Sequence, residues 1–308
     1  MRKDLHVVVL MGGWSSEREV SLTSGRGVAE ALRTRGWSRV TELDMERNVA
    51  QRLDELKADV VFNALHGTPG EDGTVQGMLD LMGVPYTHSG VETSVIAIDK
   101  QLTKMVLVPR GIRMPAGEMV ESETLFERDP MPRPYVLKPV NEGSSVGVAI
   151  ITEGGNHGSP IGREVPGPWH HFEHLLAEPF IRGRELTVAV LRDEPLAVTE
   201  LRPKAGFYDY AAKYTDGLTE HVCPAQVPGD VAEIMMDMAA NAHRLLGCRG
   251  ASRSDFRWDD ELGTEGIYLL EVNTQPGMTP LSLVPEQARY RGIEYGDLVE
   301  RLIVEALQ

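Results

Sequence analysis

The chain is short of cysteine, of aromatic residues and of positive charge. Only Cys223 and Cys248 occur among 308 residues, far apart and without CxxC spacing. That excludes a disulfide scaffold and leaves two reduced core thiols as the expectation. Aromatic residues make up 6% and the formal net charge is −15, so the basic footprint of a nucleic-acid binder is missing. An anionic nucleotide can still bind where a few cations converge, because the local field outweighs the total. No apolar run approaches the ~18 residues of a membrane span. The first run, Val7 to Met11, stops at Gly12-Gly13, too short for the core of a secretory leader. It reads as the buried first strand of a cytoplasmic protein with no membrane partner.

The rest of the composition is that of a globular chain, 42% apolar and 25% charged, long enough for two or three packed units. The first third alternates strand and helix. His6–Met11 reads as a strand, and Ser16 and Glu19 have the spacing of a capping box for the helix that follows. Val20, Ser24, Val28, Ala31 and Leu32 mark its buried stripe and Gly36 its stop. Val40–Leu43 and Val60–Leu65 read as strands, and Thr74–Met82 as a helix. Strands separated by helices imply a parallel sheet, with ligands beyond the strand C-termini. That places the loops Gly12–Glu17 and His66–Gly73 at a site.

A basic helix is expected over Asp99–Arg110, after which prolines punctuate a change of texture. Tyr135–Pro139, Val146–Thr152, Leu175–Phe180, Glu185–Leu191, Leu196–Leu201, His221–Cys223, Ser252–Trp258 and Ile267–Val272 read as strands. Helices are expected over Val231–Leu246 and Tyr295–Leu307. Glu153–Trp169, rich in Gly and Pro, reads as a surface loop, as does the His170-His171-Phe172-Glu173-His174 cluster beyond it, which lacks HExxH.

Four segments carry chemistry. In Val136–Gly147 (VLKPVNEGSSVG) a strand delivers Lys138 into a Gly/Ser turn. Backbone N–H groups and hydroxyls of such a turn can cradle phosphates, although an ordinary hairpin has the same look. It is neither GxxxxGK[ST] nor GxGxxG, so P-loop and dinucleotide readings do not apply. Arg253-Ser254-Asp255 and Glu271-Val272-Asn273 lie on two expected strands, where residues two apart share a face. If those strands pair, two carboxylates and an amide meet, an oxygen set suited to Mg²⁺; a solvated polar face is the alternative. The segment Tyr208–Tyr214 (YDYAAKY) sits in a loop, Pro203–Gly217, too long to be structureless without a purpose; an aromatic-anchored surface loop is the alternative. Glu17 stands in the first turn of a helix, where a carboxylate also simply complements the helix dipole.

In order and spacing these segments resemble the D-alanine–D-alanine ligases of the ATP-grasp superfamily. The likeness runs from Val8 to Leu302 through MGGWSSEREVS, ALHGTPGEDGTVQGMLDLMGVPY, Ser89–Lys104, Val136–Val148, Glu185–Val190, Phe207–Tyr214, Gly247–Asp255 and Leu269–Pro285. The fold implied is mixed α/β and α+β. It comprises an N-terminal Rossmann-like parallel α/β domain (1–98) and two α+β ATP-grasp subdomains (99–182 and 183–308).

The activity implied is ATP-dependent joining of two D-alanines through a D-alanyl phosphate, giving ADP, phosphate and the dipeptide used in peptidoglycan precursors. By the resemblance, Lys100 and Lys138 hold phosphates, with Ser144 and Ser145 in the turn. Glu178 and Ile181 line the adenine pocket, Glu185 binds ribose and Lys213 reaches the γ-phosphate. Asp255, Glu271 and Asn273 would hold two Mg²⁺ ions, with Mn²⁺ a possible substitute. Arg253 and the Gly277 N–H would stabilise the oxyanion. Glu17 would hold the ammonium of the first D-alanine, with Ser144 and Tyr214 as its partners and His66 in the same loop region. Ser282 and Leu283 would receive the second carboxylate. A homodimer is the assembly implied. The residues also depart from the common pattern, with Pro179 where many relatives have lysine, and with Gln275, Pro280 and Leu281 near the second substrate. A non-catalytic nucleotide binder is the competing class, and intact Glu17, Lys138, Arg253, Asp255, Glu271 and Asn273 argue against it.

Overall fold

The computed structural model describes residues 3–143, 147–152, 161, 163, 165–203 and 219–308. Its amino-terminal unit is built on a three-stranded parallel sheet of β1 (His6–Met11), β2 (Arg39–Asp44) and β3 (Val60–Asn63), with β1 in the middle. Every residue of β1 and β3 is buried. This is why both read as unbroken apolar runs instead of alternating ones. Helices α1 (Arg18–Thr34), α2 (Val49–Leu56) and α3 (Thr74–Met82) connect and cover the strands. The expected capping box does not form: α1 begins at Arg18 with Glu17 in the N-cap position and no side-chain cap. Its buried stripe runs through Leu22, Gly25, Val28, Ala29 and Leu32, while Val20 and Ala31 stay half-buried.

The expected basic helix starts one residue later and changes form near its end. An unforeseen helix, α4 (Val91–Ile98), ends at Asp99, and α5 covers Lys100–Leu107 before a single 3-10 turn at Val108–Arg110 that contains Pro109. The Asp99 carboxylate caps α5 by accepting from the N–H groups of Gln101 and Leu102, both at 2.9 Å. That cap fixes Lys100 as the first helical residue.

Two antiparallel sheets follow. The first has the order β4 (Glu118–Glu121), β7 (His174–Pro179), β5 (Tyr135–Lys138), β6 (Ala149–Ile151). The stretch expected as a surface loop before β7 is partly core: Ile161 and Trp169 are 1% and 6% exposed and pack with Tyr135, Leu137 and Leu175. Gly183 joins this sheet to the next at φ +88°, and a Cβ there would collide with the Trp258 carbonyl, so only glycine fits.

The second sheet has the order β10 (Thr219–Val222), β9 (Glu194–Pro203), β8 (Arg184–Leu191), β11 (Ala251–Trp258), β12 (Ile267–Asn273). Helix α6 (Gly229–Leu245) packs against it through Val231, Met235, Ala239 and Ala242. A bulge interrupts the β11–β12 ladder: Asp255 faces Glu271, yet Phe256 faces Leu269, so Leu270 has no opposite number. Leu269 and Val272 remain buried while Leu270 and Glu271 are both half-exposed on the other face. The chain closes with α7 (Leu283–Tyr290) and α8 (Tyr295–Ala306). Residues of α8 share a core cluster with α1 and β1, so the two ends of the chain are packed together. Cys223 and Cys248 are free and half-buried rather than in the core, and burial pushes the Cys248 thiol up to about 12.

Candidate active site

The loops beyond the C-terminal ends of β1 and β3 are tied to one another. Ser15 Oγ donates to the His66 carbonyl at 2.6 Å and accepts from the Glu17 N–H at 3.2 Å. Ser21 Oγ donates to Ala64 O and accepts from the Gly12 N–H, both at 2.8 Å. The result is a fixed seat for the Glu17 carboxyl, which is 5% exposed. His66 Nδ1 lies 3.3 Å from Glu71 Oε1. Burial pushes the Glu71 carboxyl above the ordinary carboxylate value; the His66 contact opposes this and the Glu17 charge adds to it. Gly143 enters this acidic corner from the second unit. A methyl group on it would sit 3.7 Å from both Glu17 Oε2 and Glu71 Oε2. The glycine therefore lets the turn after β5 approach the amino-terminal loops without filling the space between carboxylates.

A second recess lies between the two antiparallel sheets. Lys100, Lys138, Glu178, Ile181, Glu185, Asp255 and Glu271 line it together with the apolar Val136, Val148, Phe180 and Leu270. Each charged group arrives on a defined register. Asp255 stands opposite both Thr187 and Glu271, Arg253 opposite Asn273, and Arg257 opposite Glu185, so one sheet face carries them all. Arg253 grips Asp255 with two 2.8 Å hydrogen bonds, and Thr187 Oγ1 donates to Asp255 Oδ1 at 2.7 Å. Arg257 lies 3.5 Å from Glu185 and donates to the Ile181 carbonyl at 3.1 Å. Across the recess, Lys138 Nζ is 2.6 Å from Glu178 Oε2. Lys100 Nζ donates to Glu142 O at 2.7 Å and lies 3.5 Å from Glu271 Oε2. Burial pulls the Lys100 ammonium below the usual lysine value, with Glu271 opposing and Lys138 reinforcing the shift.

The segment after β12 joins the two regions. Asn273 Oδ1 accepts from the Gln275 N–H at 2.8 Å, and the buried Gln275 side chain donates to the Asn63 carbonyl while accepting from Asn63 Nδ2 at 3.2 Å. Ser282 sits beside Gly277, where an added methyl would lie 3.0 Å from its hydroxyl oxygen. That hydroxyl is bonded to Thr279 through N–H (3.1 Å) and Oγ1 (2.7 Å). Leu283 opens α7 and is buried. Ser144, Ser145, Lys213 and Tyr214 lie outside the described residues.

Residues 118–304 match the family model described as D-ala D-ala ligase C-terminus, and residues 36–89 match the one described as D-ala D-ala ligase N-terminus. The chain belongs to the D-alanine–D-alanine ligase family. It is 74% identical to the D-alanine–D-alanine ligase of Sphingopyxis alaskensis over 98% of each chain. Among solved structures it is similar to the D-alanine–D-alanine ligase of Bacillus anthracis, at 28% identity and a TM-score of 0.80, over 98% of this chain and 97% of that one. The same Bacillus enzyme complexed with ATP aligns at 26% identity and a TM-score of 0.79, with the same coverage. The fold is accordingly that of the ATP-grasp ligases.

Three parts of the site escaped the reading of the sequence. Glu71 sits inside the GTPGEDG stretch of a loop already placed at the sheet's ligand end, and an acidic residue there was the available signal. Lys104, four residues after Lys100 on α5, shares its helix face and bonds Glu178 at 2.5 Å. The Asn63–Gln275 link joins positions far apart in sequence, and no local pattern marks it.

Proposed function

We propose that the chain joins two D-alanine molecules with ATP, through a D-alanyl phosphate, to give ADP, phosphate and the dipeptide used in peptidoglycan precursors. One observation carries this reading. The facing carboxylates of Asp255 and Glu271, flanked by Arg253 and Asn273, share a cleft with two buried lysines. Phosphoryl transfer chiefly requires positioning and charge stabilisation, and that is what such a set supplies.

The donor set suits a hard cation: Asp255, Glu271 and Asn273 offer oxygen only, and phosphates with water would complete the shell. These residues would hold Mg²⁺, two ions per site with Mn²⁺ as substitute, and the ions would offset charge on the triphosphate. Lys100 and Lys138 bind phosphate oxygens, Glu178 and Ile181 flank the adenine, and Glu185 takes the ribose. Glu17 orients the first D-alanine through its ammonium, with His66 alongside. Arg253 turns from Asp255 toward the carboxyl oxygen on which charge develops, and the Gly277 N–H meets the same oxygen. Ser282 and the Leu283 N–H receive the second carboxylate. Ser144 and Ser145 would bind the phosphates and Lys213 would reach the γ-phosphate, while Ser144 and Tyr214 would partner Glu17 and so keep out water that would hydrolyse the acyl phosphate.

The units 1–98, 99–182 and 183–308 are its working parts, a reading supported by the chain turn at Asp99 and the glycine link at Gly183. A cytoplasmic homodimer is the expected form; among the described residues no helix is long and apolar enough to cross a membrane. The test couples ADP release to dipeptide detection over a panel of D- and L-amino acids, with and without Mg²⁺. D-alanyl-D-alanine as the main product, formed only with Mg²⁺, is expected. Background ADP release with D-alanine, ATP and Mg²⁺ present overturns the reading.

A further inference from the structure

In the wall of the cleft lies a buried carboxylate flanked by two lysines. Glu178, 3% exposed, is held from two sides. Lys138 Nζ lies 2.6 Å from one carboxylate oxygen and Lys104 Nζ 2.5 Å from the other. Lys104 is 8% exposed, is anchored by donating to the Pro115 carbonyl, and does not line the cleft, whereas Lys138 and Glu178 do. An ammonium buried there is unfavourable unless it is matched, and burial does pull it below the usual lysine value against the opposing Glu178.

The charges show what it is matched to. Lys138 and Glu178 alone cancel, and a cancelled pair offers a triphosphate nothing. With Lys104 the trio carries one net positive charge, presented by the one lysine of the pair that lines the cleft. Apolar packing would fill the space under Glu178 equally well, so volume alone does not call for a lysine.

We propose that Lys104 is a positioning residue, the standing counter-ion of Glu178, whose role is to release the charge of Lys138 to the nucleotide's phosphates. This rests on the cleft being the ATP site. The same carboxylate then stays fixed at the adenine end whether or not nucleotide is bound.

The test is the ratio of ATP to adenosine affinity, measured by calorimetry on the full chain, since adenosine lacks the phosphates. In Lys104→Met, ATP binding is expected to weaken on the order of 10- to 100-fold, the size of the attraction between two unit charges roughly 7 Å apart at an effective dielectric constant of about 20. Adenosine binding should change less than about twofold, and Lys104→Arg should restore the ratio. Adding Glu178→Gln to Lys104→Met should also restore it, because Lys138 then has no carboxylate to neutralise it. Equal loss for ATP and adenosine, or an unchanged ratio, overturns the assignment and leaves Lys104 a packing residue. Wild-type protein that binds neither ligand overturns the cleft reading instead. A crystal of unmutated protein with ATP needs no variant to fold. Lys104 should remain on Glu178 while Lys138 contacts a phosphate oxygen, and Lys104 found away from Glu178 sinks the proposal.

Discussion

The two polar regions of this molecule are balanced in opposite ways. In the cleft between the antiparallel sheets four carboxylates each have a basic neighbour: Arg253 on Asp255, Lys100 by Glu271, Arg257 by Glu185, and two lysines on Glu178. In the corner above the parallel sheet, Glu17 and Glu71 approach each other, with His66 against Glu71. The first region holds its negative charges in check with lysines and arginines that phosphate oxygens can engage, which suits a triphosphate. The second concentrates negative charge where little water reaches, which suits an ammonium. The contrast teaches that a chain of strongly acidic composition can serve both an anionic and a cationic group by distributing its few cations unevenly.

That contrast can be broken most severely on the cleft side. Glu271→Gln keeps the shape but removes the charge opposite Asp255, and no turnover should be detected by coupled ADP release. Activity near wild type would refute the ligand role. Next comes Arg253→Ala, expected to lower kcat by about 10²–10³, by the measure of other oxyanion donors. A loss confined to KM would place Arg253 in simple substrate binding.

The joint between the regions should yield a smaller effect. Gln275→Ala strips partners from buried Asn63, and urea unfolding should show a loss of about 1–3 kcal/mol. No change would mean that water takes over those bonds. The smallest effect belongs to the acidic corner. The folded state holds the Glu71 carboxyl above its ordinary 4.5, so it retains a proton that the unfolded chain has released. The stability this confers is complete below 4.5 and is lost as pH rises through the folded value. The melting temperature of wild type should therefore fall relative to Glu71→Gln as pH rises above 4.5. Parallel curves would show that Glu71 carries no such shift.

Much of this arrangement was legible in the residues. Thr74–Met82 is legible to the residue, and strand period puts Arg253 with Asp255 and Glu271 with Asn273 on shared faces, while the pairing that sets Asp255 opposite Glu271 comes from the structure. What escaped did so for physical reasons. Helix α4 is dense in Val, Ile and Thr, whose stiff side chains favour strands, and only its packing holds it helical. Helix α7 carries Pro285, which reads as a breaker but lies in the first turn, where its missing N–H has no intrahelical partner anyway. The capping box failed because Glu17 itself took the N-cap position. Trp169 and Ile161 are isolated apolar residues in Gly/Pro-rich sequence, and only the tertiary fold reveals that they are core.

The unmatched residue on β12 deserves a last word about alteration. With strict alternation, Leu270 and Glu271 would lie on opposite surfaces of the sheet; the extra residue lets oily and acidic neighbours meet the same ligand side by side. Leu270 can thus be exchanged to suit a different base while the adjoining carboxylate keeps its place. Removing that residue would leave Leu269, Glu271 and Val272 in plain alternation, so Glu271 would keep its place opposite Asp255 while its apolar neighbour is lost from the cleft. A one-residue deletion here should therefore spare the carboxylate and cost the ligand an apolar contact.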